Sequence, residues 1–376
     1  MVAHSEKLQR IARLTPLGAV LPLIDALAHP VAPQQIAVAS ALGRVLAEDV
    51  TAPSARPEIA IAIRDGWAVS STDIIDASAT TPVPLMPAPA WLETGDSLPA
   101  HADAVAPFDA VAWHGRIAEA VAPAAPGEGV LAAGGDIAAG TVLCPASARL
   151  RHSDLAVLAA AGVTKIAVRV PRIRLVRAAP ENPHADAAVA FIAAAIVGEG
   201  SAVLRGTEAG ADQLDRAFRD DEADAVIVVG GTGTGKRDAS VRALARSGCV
   251  AVHGIAVSPG ETTALGEAGS RPVLLIPARI DSALAAWLSL GRPLLARLAG
   301  RRDSDDGRDC VLSRKVASSL GLAEVIPVRR FGKQVEPLAS GYLSLTAIAN
   351  ADGWILVPPD SEGYPVGATV TVRPLP

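Results

Sequence analysis

The sequence predicts a multidomain protein of α/β plus β class, on three observations. Its 376 residues exceed one ordinary core and point to two to four domains. From about 171 to 300 apolar strands alternate with helical segments, the rhythm of a parallel sheet covered by helices, while short strands dominate on either side. Half the residues are hydrophobic but only 3% aromatic, so the core must be built from Ala, Val, Leu and Ile, which suits helices packed closely on sheets.

In chain order, Leu14-Thr15-Pro16-Leu17 opens a capped helix interrupted by Pro22 and Asp25, not a signal peptide. Residues 15–50 read as two helices, the second running through Ala41–Asp49. From Ala52 to about Pro126, prolines, isolated tryptophans and alternating runs such as Asp103-Ala104-Val105-Ala106 indicate a small β-rich module. Residues 136–170 give a turn, a strand at Gly140–Cys144 and a helix from Ser153, its expected N-cap, to about Ala161.

The α/β rhythm follows: strand Ile173–Val176, helix Ala185–Gly198, strand Ala202–Leu204, helix Ala211–Arg219, strand Ala225–Val229. Residues 310–376 return to short strands, ending with Gly353–Pro358 and Ala368–Val372, and read as a small barrel or sandwich. The expected division is 1–51 with 137–170 as a helical and linker domain, 52–136 as an inserted β-rich domain, 171–303 as the α/β domain, and 304–376 as a C-terminal β domain.

Composition excludes some classes of function. A net charge of −5 supplies no basic field for nucleic acid, so partners are expected to be small molecules. The longest apolar stretch, Ala187–Val197, falls short of the roughly 18–20 residues that span a bilayer, and a cytoplasmic protein is expected. Cys144, Cys249 and Cys310 have no paired spacing, as a reducing compartment permits, and the seven scattered histidines offer no metal site. The run Arg301-Arg302 followed by Asp303, Asp305 and Asp306 reads as a solvated linker whose Arg-rich start could touch a ligand.

The most informative segment is Gly230-Gly231-Thr232-Gly233-Thr234-Gly235-Lys236-Arg237-Asp238, between an apolar strand and a helix. It matches most of a P-loop, whose backbone N–H groups cradle phosphates and whose Lys reaches the terminal ones. A P-loop needs Ser or Thr after the Lys to hold Mg2+, and here Arg237 stands there. The strand Val273–Ile276 also ends in Pro277-Ala278 rather than in a metal-binding Asp. The second reading is a phosphate-binding turn that presents Asp238. The third is a packing feature in which Asp238 only caps the next helix.

Several segments match one family in order and spacing. They are Ala41–Val50, Asp65-Gly66-Trp67-Ala68-Val69, Thr94-Gly95-Asp96-Ser97-Leu98-Pro99 with Ala102–Val105, Gly135-Asp136-Ile137 with Ala139-Gly140, the glycine loop, and Ala351-Asp352-Gly353-Trp354. In these the chain resembles the molybdopterin molybdenumtransferases, the family of MoeA and the gephyrin E domain, over nearly its whole length. The resemblance implies an elongated four-domain homodimer, with a cleft between the α/β domain of one copy and the β module of the other. It also implies Mg2+ as cofactor, molybdopterin or adenylylated molybdopterin and molybdate as substrates, and a recipient molybdoenzyme. A non-catalytic molybdopterin carrier on the same scaffold is the alternative, and a P-loop-like NTPase a third.

Carried over by position, the resemblance implies Asp65, Asp136, Glu181 and Asp238 as catalytic carboxylates, with Asp238 and Glu181 at the metal. It implies Thr94, the loop from Gly230 to Arg237, Ser258 and Arg279 as ligand-binding. Ordinary local roles exist for each: turn residues at Asp65 and Asp136, a loop hydroxyl at Thr94, a surface charge at Glu181. The departures are specific. Ala60-Ile61-Ala62-Ile63-Arg64 replaces the family's Asp-Asn-Ser-Ala-Met, and Ala179-Pro180 replaces part of its Thr-Gly-Asp. Ser258-Pro259-Gly260-Glu261-Thr262 replaces Lys-Pro-Gly-Lys-Pro, removing two lysines. Lys236, Arg237 and Arg279 are the candidate compensating cations.

Overall fold

The computed structural model describes residues 9–178, 183–205, 211–219, 221–236, 238–301 and 307–376. Its centre is a six-stranded sheet in the order Ala202–Arg205, Arg172–Arg177, Ala225–Val229, Arg271–Ile276, Ala264–Ala268, Cys249–His253. The first four strands are parallel, and the last two are added through antiparallel pairings. The expected mainly parallel sheet is therefore present.

Strand Ala225–Val229 is buried at all five positions, which is why it reads as an unbroken apolar run. Its alternate residues serve two cores. Ala225, Ile227 and Val229 meet helices α1 (Leu17–Leu27) and α3 (Pro183–Gly198), together with Leu284 of α6 (Ile280–Ala286), Trp287, and Leu294 of α7 (Arg292–Ala299). Val226 and Val228 meet Leu214 and Phe218 of α4 (Ala211–Arg219) and Leu244 of α5 (Ser240–Ser247). Helix α6 continues through a π turn at Trp287–Gly291 into α7. A Cβ on Gly291 would lie 2.4 Å from the Trp287 ring, so the turn needs glycine there.

The second N-terminal helix is absent. Ala41–Asp49 is instead a turn at Gly43, with φ of 73°, followed by strand Val45–Leu46 against Lys165–Arg169. Its amides are taken by distant carbonyls: Gly43 N–H by Leu150, Leu46 N–H by Ala148 and Ala47 N–H by Ala167. Tertiary pairing outweighs local helical propensity, so the lobe that was expected to be helical is largely stranded. Its helix α2 (His152–Ala160) is capped by Asp154, which accepts the Arg151 N–H at 2.8 Å, and not by Ser153.

Residues 52–136 form small sheets over two apolar clusters, one containing Val69, Ile74 and Val111, the other Ala68, Leu92 and Val105. At the other end, strands Ala323–Phe331, Gln334–Pro337, Arg308–Leu312, Thr369–Pro374 and Gly353–Val357 pair in that order, and the last pairs back to the first. The result is a closed five-stranded barrel filled by residues such as Leu312, Val328 and Ile355. Strand Ile255–Ser258 links it to the α/β sheet, pairing with Thr15–Pro16 on one side and Ala323–Glu324 on the other.

Candidate functional site

Open parallel sheets leave a crevice beyond the carboxyl ends of their strands. Strands Arg172–Arg177, Ala225–Val229 and Arg271–Ile276 end together here, and their loops surround a cavity of about 350 Å3. Gly231, Thr232, Gly233 and Asp238 line it from the glycine loop, Pro277 to Arg279 and Ser282 from the third loop, and Gly260 to Thr262 from a further turn.

The loop has this shape because its glycines permit it. Gly230 and Gly231 have φ of 101° and 71°, left-handed values that favour glycine. A Cβ on Gly231 would stand 2.3 Å from Ser240 Oγ, the buried hydroxyl that donates to the Gly230 carbonyl at 2.8 Å. Asp238 turns back over the loop, its Oδ2 accepting the Gly235 N–H at 2.8 Å. Added Cβ atoms on Gly233 or Gly235 would come within 2.8 and 2.9 Å of that oxygen. Helix α5 begins at Ser240 with no side-chain cap, so Asp238 is not a helix cap. Its Oδ1 has no hydrogen-bond partner among the described residues and remains available to a ligand.

Two distant residues fix the loop from behind. Gln9 is buried and spends its amide entirely here: Nε2 donates to the carbonyls of Gly231 (2.9 Å) and Gly233 (2.6 Å), while Oε1 accepts the Arg242 N–H at 3.3 Å. His253 Nε2 lies 2.9 Å from the Thr232 carbonyl. On the cavity side the Thr232 and Thr262 hydroxyls are 2.9 Å apart. The pocket is therefore ordered before any ligand arrives.

Arg279 is held rather than free. Its guanidinium binds both oxygens of buried Asp281, with Nε to Oδ1 at 3.0 Å, and lies 5.4 Å from the Tyr342 ring of the C-terminal region. The hydrogen bonds to Asp281 hold the guanidinium above its ordinary pKa, against the opposing effect of burial. Glu261 lines the cavity and accepts the Gly260 N–H at 3.0 Å. The described wall thus carries two unpaired carboxylates, Asp238 and Glu261, and one cation already matched to an acid.

The other expected residues lie elsewhere. Gly230, Thr234, Gly235 and exposed Lys236 belong to the loop but not to the cavity wall, which removes the Lys that a P-loop would use. Ser258 ends its strand opposite Glu324. Glu181 and Arg237 lie outside the described residues. Asp65 and Thr94 do come together: Asp65 Oδ1 accepts both the Thr94 N–H (2.8 Å) and its hydroxyl (3.0 Å) on an exposed ledge of the inserted module. Gly66 beside them cannot carry a Cβ, which would meet the Ala106 carbonyl at 2.2 Å. Asp136 is exposed in its own turn, its N–H donating to the Arg56 carbonyl at 3.1 Å. None of these three lines the pocket.

Sequence reasoning missed Gln9, Thr262, Asp281 and Tyr342. Gln9 acts across more than 220 positions, so no local signal marks it. Asp281 carried one, as an acid in the first turn of a helix just after an arginine.

Three family profiles match along the chain: the MoeA N-terminal region (domain I and II) over residues 4–162, the "Probable molybdopterin binding domain" over 184–297, and the MoeA C-terminal region (domain IV) over 309–375. The chain belongs to the MoeA family. The middle match contains every pocket residue except Ala178. Among relatives, Molybdopterin molybdenumtransferase 2 of Mycobacterium tuberculosis is 27% identical over 387 residues, covering 90% of this MoeA-family chain and 94% of the relative. A crystal structure of the molybdopterin biosynthesis MoeA protein from Pyrococcus horikosii superposes with a TM-score of 0.76 at 26% identity, covering 97% of this chain and 100% of the other. A crystal structure of a molybdopterin biosynthesis MoeA protein from Pyrococcus horikoshii OT3, 21% identical with a TM-score of 0.78 over 96% of this chain and 100% of the other, shares the fold. No helix among the described residues is long and apolar enough to cross a membrane.

Proposed function

We propose that this protein is a molybdopterin molybdenumtransferase of molybdenum cofactor biosynthesis, which binds adenylylated molybdopterin in the glycine-loop pocket and inserts molybdenum supplied as molybdate. The observation that carries the reading is the Asp238 carboxylate, held over the glycine loop with one oxygen open, inside the segment matched as a molybdopterin-binding domain. Turns of this kind hold phosphates through backbone N–H groups.

The donor set suits Mg2+. Two carboxylates, Asp238 and Glu261, and the Thr232 and Thr262 hydroxyls offer hard oxygen ligands, and Mg2+ is usually held by one or two carboxylates plus substrate phosphates. When bound, the ion supplies the positive charge that lets a pyrophosphate lie beside these acids. The protein's own part is positioning: Gln9 and Ser240 fix the loop, Asp238 orients the reacting phosphate group, and Arg279, anchored by Asp281, presents a fixed cation at the rim.

Asp65 and Thr94 enter this reading through a second copy. They lie on the inserted module and outside the pocket of their own chain, so a homodimer with the ledge of one copy against the pocket of the other would complete the site. A carrier that binds without transfer is favoured by one feature, the acid Glu261 where the resemblance implies a lysine.

Titration with molybdopterin and with its adenylylated form, followed by molybdate and Mg2+ with AMP release as readout, tests both. The transferase reading expects saturable binding of the adenylylated form and molybdate-dependent AMP release, reduced about 100-fold or more in Asp238→Ala. Binding without AMP release assigns a carrier. Binding of neither pterin removes both readings.

A further inference from the structure

A second, larger cavity of about 710 Å3 lies where the stranded lobe meets the α/β domain. Leu42 and the segment 145–152, with Arg149, Arg151 and His152, form one wall, and Arg301 forms the other. Behind it is a concentration of positive charge. Glu199, only 7% exposed, receives Arg292 Nε at 2.8 Å, Arg301 Nη1 at 2.9 Å and Arg149 Nη1 at 3.8 Å. Arg292 and Arg301 are themselves 16% and 12% exposed, and Arg149, 38% exposed and also bonded to the Gly43 and Gly198 carbonyls, is the third guanidinium at this carboxylate.

The surrounding charges do not correct the imbalance among the described residues. Arg151 is matched by Asp154 at 2.8 Å, and the nearby acid Asp49, which accepts the Ala146 N–H at 2.6 Å, does not line the cavity. Arg301 Nε is buried with no hydrogen-bond partner among the described residues. Burying charge without a counter-charge is costly, and an unmade hydrogen bond on a buried donor adds to the cost. An anion in the adjoining cavity offsets the excess positive charge.

We propose that this cavity binds a phosphate-type tetrahedral oxyanion, free or as the phosphate of a small metabolite, through Arg149 and Arg301. Guanidinium groups suit such an oxyanion because they offer paired N–H donors and remain charged at any physiological pH. The two arginines come from different parts of the chain, one from the lobe segment and one from the end of α7, so the anion ties those parts together. Ligand that binds the folded state raises its stability by mass action.

The test uses the full chain and inorganic phosphate, with AMP and pyrophosphate as parallel probes at constant ionic strength. Calorimetric titration gives affinity and thermal unfolding gives stabilisation. Wild type is expected to bind one of these probes saturably below about 10 mM, with a rising melting temperature. Arg149→Gln and Arg301→Gln should each weaken that binding about tenfold or more, and Arg279→Gln is run beside them to detect probe held in the glycine-loop pocket instead. Tighter binding of AMP assigns a metabolite phosphate, and equal or tighter binding of inorganic phosphate assigns the free ion. Circular dichroism establishes that the variants fold; should Arg301→Gln fail, Arg149→Gln, with a 38% exposed side chain, decides alone. No saturable binding, wild-type affinity in Arg149→Gln, or loss only in Arg279→Gln overturns the proposal.

Discussion

The glycine-loop pocket and the Asp65–Thr94 ledge both present a carboxylate, yet they are built oppositely. Asp238 stands over a loop fixed by Gln9, Ser240 and His253, residues brought in from other parts of the α/β region and the N-terminal segment. Among the described residues Asp65 is hydrogen-bonded to Thr94 alone, 29 positions away on another exposed segment. The first is ordered by tertiary structure and stays so without a partner; the second is a prepared surface that acquires a function only when something covers it. In the proposed dimer the ordered half binds the phosphates and the exposed half closes over them.

Substitutions separate the two halves most strongly at the backbone. Gly231→Ala adds a Cβ 2.3 Å from Ser240 Oγ at a left-handed φ, and should cost about 1–3 kcal/mol of stability together with ligand binding. Chemical denaturation checks the first and pterin titration the second. Thr94→Ala on the ledge should leave stability within about 0.5 kcal/mol of wild type by chemical denaturation, since its hydroxyl contact is exposed.

Next in size is Gln9→Ala. It removes the side-chain donor from the part-buried Gly231 and Gly233 carbonyls, of which Gly231 keeps the Ser240 N–H, at about 1–3 kcal/mol for such a loss, so kcat/KM should fall about tenfold with the loop loosened. Faster hydrogen exchange at residues 231–235 is the readout that distinguishes loosening from general unfolding.

The smallest effect is acid sensitivity of the module that carries the ledge. Burial raises the Asp103 pKa, but the hydrogen bonds from the Ser71 hydroxyl and N–H, both 2.6 Å, outweigh it and hold the group below its ordinary 3.8. Glu128 is held below 4.5 by the Ala125 N–H and Arg64. Groups lowered on folding stabilise above their unfolded pKa and lose that contribution as pH falls through the folded value. The 52–136 module should therefore loosen below about pH 4, before the α/β core does, and Asp103→Asn should reduce this dependence. Tryptophan fluorescence reports it directly, because Trp67, Trp91 and Trp113 all lie in this module.

What the sequence revealed follows from the range of the interactions. Strand Ala225–Val229 was legible because burial on both faces demands an unbroken apolar run, and the glycine loop because left-handed backbone and close approach of Asp238 demand glycine. Ala41–Asp49 was misread as helix because its hydrogen bonds go to residues 148–150 and 167, which local periodicity does not report. Gln9 and the Arg279–Tyr342 contact were invisible for the same reason. Arg301 was visible as charge, but its convergence with Arg149 and Arg292 on Glu199 needed the folded chain.

The central claim, that the pocket of one copy works with the ledge of another, is tested by mixing two inactive variants. Asp65→Ala and Asp238→Ala chains are denatured together, refolded at equal ratio, and assayed for molybdate-dependent AMP release. Random pairing makes half the dimers mixed, each with one intact site, so about a quarter of wild-type activity should return. No recovery above the two separate variants, in a mixture shown to contain mixed dimers, would contradict the account.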